Sequence, residues 1–81
     1  MFYVYILLSE KDGVRYIGCT SKQPLIRLAE HNSNKGNFTR GHQPWVLVHH
    51  EEFADKVAAH KREIFLKSGQ GRKWVDMKLK K

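Results

Sequence analysis

The stretch "FYVYILLSEKDGVRYIG", residues 2–18, decides how the rest of the chain is read. Residues 2–8 are continuously apolar and rich in aromatic and β-branched side chains. Such a run reads as a strand covered on both faces, and therefore as a central one. Asp12-Gly13 is a turn signal, and "VRYIG" (14–18) follows as a second, shorter strand that closes a hairpin. Loop length sets which side chains share a face. A two-residue turn or a four-residue loop makes the numbers of paired residues sum to an odd value, which sends Tyr5 and Tyr16 to the same face. A three-residue loop without a bulge would separate them.

Beyond the hairpin, Pro24 suits the first turn of a helix that opens near Ser21 or Lys22 and runs to about Asn32. Leu25, Ile26, Leu28 and Ala29 are expected to face the core, with Arg27, Glu30 and His31 on the flank. "NSNKGN" (32–37) ends that helix and begins a loop reaching about Gln43. This loop carries Thr39, Arg40, Gly41 and His42, and its length makes it a candidate for function or motion. "PWVLVHHEE" (44–52) reads as a third strand. Asp55 lies near the start of a second helix, with Val57, Ala58, Ile64 and Phe65 as its apolar stripe and Gly69 as its C-terminal cap. "GQGRKWVDMKLKK" (69–81) can form a short third helix around Trp74, Val75, Met77 and Leu79. The expected fold class is α/β: a small three-stranded antiparallel sheet flanked by helices, ordered β-β-α-β-α-(α), as a single domain over residues 1–81.

The totals narrow the function. The 81 residues are 41% hydrophobic and 28% charged, too apolar for a disordered tail. Fifteen Lys and Arg against eight Asp and Glu leave a net charge of +7, a field that attracts polyanions, nucleic acid above all. No basic helix shows a fully apolar opposite face, so a membrane surface is not the expected partner. Cys19 is the only cysteine, which excludes an internal disulfide and a cysteine-based zinc cluster and suits a reducing compartment. The N-terminal apolar run is too short for a signal peptide or a span, so the expected location is the cytoplasm.

Five side chains stand out as chemistry. A tyrosine titrates near pH 10, so Tyr5 or Tyr16 needs a positive neighbour to act as a base. Arg27 and His31, at i and i+4 of a helix, reach one target together, the first suited to phosphate and the second to a proton. The alternative is a solvated face, with Arg27 paired to Glu30. Glu63 shares its side of a helix with Ala59 and Leu66, at the edge of the buried stripe. A carboxylate there can hold a divalent cation, with small Ala59 leaving space; the alternative is an ion pair with Lys67 or Lys61. His49 and His50 alternate on a strand and point to opposite faces, which argues against a metal site. Cys19 has only His31 as an evident activating partner. Gly18 marks either a close approach of backbone to ligand or a turn with unusual dihedrals.

Together these residues resemble the GIY-YIG nucleases. "YVY" (3–5) and "YIG" (16–18) are similar to the family's paired triplets, although Tyr3 stands where glycine names the motif and Val4 replaces isoleucine. "LIRLAEHN" (25–32) is similar to its Arg-bearing helix, and "AAHKREIFLK" (58–67) to its Glu-bearing helix. The resemblance spans about residues 2–75 and is closest to the small stand-alone bacterial members. It implies an endonuclease that hydrolyses DNA with one divalent metal, of the kind used in DNA repair or recombination. Carried over, Glu63 would hold Mg²⁺ or Mn²⁺ and Arg27 would clamp the scissile phosphate. Tyr5, Tyr16 and His31 would position and deprotonate the attacking water, in an order left open. Lys22, Arg40, Lys67, Arg72 and Lys73 are the expected contacts to nucleic acid, DNA ahead of RNA. Cys19 departs from the lysine found after the second triplet in the excision-repair relative. With no second domain expected, a protein partner or substrate shape would set the target. The alternative reading is a nucleic-acid-binding module without useful turnover.

Overall fold

A computed structural model describes residues 1–33 and 40–79. Thr39 and the rest of residues 34–39, with the last two lysines, lie outside the described residues. Among the described residues the order is β1 (Phe2–Ser9), β2 (Arg15–Thr20), α1 (Pro24–His31), β3 (Trp45–Phe53), α2 (Lys56–Lys67) and α3 (Gly69–Leu79). The sheet is antiparallel with order β2-β1-β3, which puts the continuously apolar strand at its centre.

The hairpin takes the odd register. Tyr5 lies opposite Gly18 and Leu7 opposite Tyr16, so both tyrosines share one face. The loop has four residues, 10–13, closed by the Ser9 amide donating to the Val14 carbonyl at 2.8 Å. Asp12 accepts from the Val14 amide at 3.1 Å, and Gly13 takes φ +77°, which a side chain would disfavour. Each face of β1 has its own core. Val4 and Ile6 meet Ala59, Leu66 and Val75 of the α2–α3 layer, while Tyr5 and Leu7 meet Trp45 on the α1 side. A bulge in β3 opposite Ile6 and Leu7 lets Trp45 and Leu47 face α1 while His49, Glu51 and Phe53 face α2. His49 and His50 do lie on opposite faces.

The helices depart from their expected faces. In α1 the inward stripe is Pro24, Leu28 and His31; Leu25 and Ile26 are 67% and 50% exposed, and Ala29 is exposed too. Polar His31 occupies the turn that an apolar-seeking reading gives to leucine. In α2 the buried residues are Ala59 and Leu66, whereas Val57 and Ile64 are exposed. Met77 of α3 is exposed as well. Asp55 caps α2 by accepting from the Ala58 amide at 2.8 Å. Gly69 is not a left-handed cap but the first residue of α3. Ser68 makes the junction: its hydroxyl donates to the Phe65 carbonyl at 2.5 Å and accepts from the Gly71 amide at 3.2 Å. A Cβ on Gly71 would lie 2.0 Å from the Phe65 carbonyl oxygen, so glycine there lets the two helices meet.

Candidate active site

The α1 face of the hairpin gathers four of the five singled-out side chains. The Tyr5 hydroxyl lies 3.0 Å from His31 Nε2. The His31 ring sits 4.7 Å from that of Tyr16, and the two phenol rings are 6.2 Å apart. Arg27, one turn before His31, approaches the same Nε2 at 3.5 Å and also bonds Tyr5. Each side chain is held from behind. Gly18 makes room for Tyr5: a Cβ there would fall 2.5 Å from the Tyr5 oxygen. Gly18 is thus neither a turn nor the end of its strand, and what approaches its backbone is Tyr5. His31 is fixed by the end of its helix. The Asn32 side chain donates to the Trp45 carbonyl at 3.0 Å and accepts from the Trp45 amide at 2.8 Å, and the Gln43 amide donates to the His31 carbonyl at 2.8 Å. Arg27 is paired with Glu30, which also binds Lys22 at 2.7 Å.

The electrostatics assign hydrogens. Arg27 can only donate, so the Nε2 it faces is an acceptor, and the Tyr5 hydroxyl donates to that nitrogen. Burial, and then the Arg27 charge, push the His31 imidazole below its ordinary range, which favours the neutral ring this pattern needs. Burial pushes the Tyr5 phenol up to about 12; the Arg27 hydrogen bond and charge pull it down but lose to desolvation. Arg27 itself loses solvation, yet its bonds to Tyr5 and then Glu30 raise its pKa and keep it charged.

Glu63 stands on α2, with its side chain only 16% exposed. It accepts from Lys67 at 2.9 Å and lies 3.4 Å from His60. Its link to the tyrosine cluster is through charge: after burial, the Glu63 carboxylate helps raise both the Tyr5 phenol and the Cys19 thiol. Among the described residues no cluster of three or more His, Cys, Asp or Glu could hold a metal. A lone carboxylate still suits Mg²⁺ or Mn²⁺, since Mg²⁺ keeps most of its waters and binds through one or two carboxylates plus phosphate. It does not suit zinc, which takes three or four protein ligands.

The expected strand contacts are dispersed. Lys22 sits on the rim beside Glu30, Lys67 and Arg72 line one cavity, and Arg40 and Lys73 are exposed. Arg15 also lines that cavity. The sequence reading missed it, as it missed Asn32 and Gln43, because no motif marks them.

The GIY-YIG catalytic domain matches residues 1–78. The chain belongs to the GIY-YIG family. This is a nuclease family whose members generally use divalent metals. Its relatives include UPF0213 proteins, themselves small single-domain GIY-YIG members. That of Natronomonas pharaonis is 45% identical over 67 residues, covering 82% of this chain and 76% of the relative. That of Staphylococcus haemolyticus is 40% identical over 82% of this chain and 79% of its own length. That of Lacticaseibacillus paracasei is 35% identical over 85% and 90%. No solved structure matches this chain. As in the rest of the GIY-YIG family the sheet is three-stranded and antiparallel, and no described helix is long and apolar enough to cross a membrane.

Proposed function

We propose that this chain is an endonuclease that hydrolyses phosphodiester bonds, DNA in preference to RNA, with Tyr5, Tyr16, Arg27, His31 and Glu63 as its catalytic residues. One observation carries the reading: Tyr5, Tyr16, Arg27 and His31, from three separate elements, meet on one face of a sheet within bonding or ring-contact distance. A domain this small has little burial to spare for polar groups without use.

Arg27 presents a guanidinium whose orientation Glu30 fixes from behind, ready to bind a phosphate and offset its developing charge. His31 is neutral and its Nε2 accepts the Tyr5 hydroxyl, so the proton of the attacking water reaches it by relay: the Tyr5 oxygen takes that proton as its own hydrogen passes to Nε2. Tyr5, with its phenol held at about 12, serves in that relay rather than as an anionic base. Tyr16 packs on His31 and fixes its plane. Glu63 would hold Mg²⁺ or Mn²⁺, which supplies, when bound, Lewis-acid stabilisation of charge on the phosphoryl oxygens. Its present partner Lys67 would then turn to the strand, beside Lys22, Arg40, Arg72 and Lys73. Nicked, branched or single-stranded DNA in the cytoplasm, met during repair or recombination, is the substrate this small domain suits, with a protein partner adding target choice.

The test is incubation with supercoiled plasmid and with single-stranded and branched oligonucleotides, with Mg²⁺ or Mn²⁺ and with EDTA. Metal-dependent cutting is expected, lowered about 10²–10³-fold by Arg27→Ala and by Glu63→Ala. Binding with no cutting by any version would make this a nucleic-acid-binding module instead.

A further inference from the structure

A cavity of about 610 Å³ lies where the free edge of β2 meets α2 and α3. We propose that it seats one unpaired nucleotide of the bound strand, beside Tyr16 and Lys67. The inference rests on the nuclease reading for its setting and names the substrate class: nucleic acid with a base free to leave the stack.

The chemistry of the walls points to a nucleotide. Ile17 gives an apolar floor over the buried Leu66 and Val75, and Arg15, Lys67 and Arg72 give three cations around it. Apolar surface with guanidinium planes at its rim suits an unstacked base, and the cations suit its phosphates. Asp76 bonds Arg15 at the same rim, where its carboxylate can also accept from the exocyclic amino group of a base. The strand edge adds more. Bonded pairs alternate along an antiparallel ladder, and the Ser9–Val14 bond sets the phase. The backbone groups of Arg15 and Ile17 therefore turn away from β1, along the side of the cavity. The volume falls within the roughly 300–1,000 Å³ of small-ligand pockets; it holds one nucleotide and not a duplex.

The cavity also touches the candidate active site twice. Tyr16 lines it and lies 4.7 Å from the His31 ring. Lys67 lines it and bonds Glu63 at 2.9 Å. A nucleotide seated there is thus in reach of Tyr16, at the edge of the tyrosine cluster, and of Lys67, the partner of Glu63. A duplex would have to give up a base to fill it, at a cost that single-stranded or frayed nucleic acid avoids.

The test reads binding without cutting, in EDTA, on the full chain. Two-dimensional amide spectra are titrated with dAMP and, separately, with inorganic phosphate. Fluorescence anisotropy then compares a labelled single-stranded oligonucleotide with its duplex at one salt concentration. Expected are shifts of Arg15, Ile17, Arg72 and Asp76 with dAMP, no Ile17 shift with phosphate, and a preference for the single strand of at least about tenfold. Asp76→Trp, which fills the cavity from an exposed position while removing a negative charge, should reduce that preference to under about twofold, and so should Arg72→Ala, by removing stacking on its guanidinium. The amide spectrum of each variant reports its fold. Equal shifts from dAMP and phosphate, or a preference that survives both substitutions, would overturn the proposal. Cutting by a protein that shows no such preference removes the nucleotide seat alone. Nucleotide shifts in a protein that never cuts remove the nuclease and leave the seat standing.

Discussion

Gly18 and Tyr5 depend on each other. The tyrosine ring lies over the glycine, whose missing side chain is what brings the Tyr5 hydroxyl to His31. Gly18→Ala is therefore expected to displace Tyr5 and cost about 10²-fold in cleavage rate, as misplacement by an ångström can. The obstructing atoms belong to the ring of Tyr5, which is buried in the Leu7–Trp45 core, so the thermal melt should fall as well, by the equivalent of about 1–3 kcal/mol. His31 gives a second prediction. Its folded pKa is lowered below the ordinary 6.5, so the native state binds fewer protons than the unfolded chain over that interval. Stability is then full above pH 6.5 and declines as pH falls below it, towards and through the depressed native value. The same protonation removes the acceptor at Nε2. Cleavage should hold as pH is lowered to about 6.5 and fall only on further acidification. A pH–rate profile beside urea melts checks this, and His31→Gln should flatten the stability dependence in that window.

At the scale of elements, α1 shows what helical periodicity can and cannot reveal. Pro24, Leu28 and His31 point inward, while Leu25 and Ile26 face solvent. Leu25→Lys and Ile26→Lys should thus each change stability by no more than about 0.5 kcal/mol. Leu28→Ala, at the boundary of the Tyr5–Trp45 core, should cost clearly more in the same melts. The strands were legible because β1 is apolar on both faces and the turn chemistry at Asp12-Gly13 is strong. The faces of the helices were less so, because His31 takes an inward position that a hydrophobic pattern assigns to leucine. The shared face of Tyr5 and Tyr16 and the shared reach of Arg27 and His31 could be read from register and spacing, but that the two pairs meet came only from the family resemblance. Their supports, Gly18, Asn32 and Gln43, could not be read, since each acts through a contact between elements distant in sequence. The α2–α3 junction is the same kind of case: Gly69 reads as the stop, yet Ser68 caps and Gly71 is the close approach. An alanine at position 71 would put its Cβ 2.0 Å from the Phe65 carbonyl oxygen and 2.5 Å from the Leu66 Cα, neither of which can swing aside. Gly71→Ala should cost about 1–3 kcal/mol and lower the melting temperature, whereas Gly69→Ala, with nothing within 4 Å, should not.

At the scale of the whole molecule, the +7 charge is not all available to a strand. Lys22, Lys67, Arg15 and Arg62 are engaged by Glu30, Glu63, Asp76 and Glu51. Arg62 is the most committed, bonding Glu51 at 2.9 Å while lying over the Phe65 and Trp74 rings, and it ties β3 to both helices of its layer. The others sit nearer the rim, where an exchange of carboxylate for phosphate conserves charge pairing and releases counterions from the nucleic acid. Affinity for a single strand should therefore fall steeply with salt. If Arg27, Lys22, Arg40, Lys67 and Lys73 all meet phosphates, log K should decline against log salt with a slope of about −3.5, from about −0.7 per contact. Lys73→Ala should flatten that slope by about 0.7 by removing one contact. Arg62→Ala should leave the slope alone and lower stability instead, because its work is done inside the fold. Anisotropy titrations at several salt concentrations separate the two. A slope near zero in the unmodified chain would mean that its basic character has no part in holding nucleic acid.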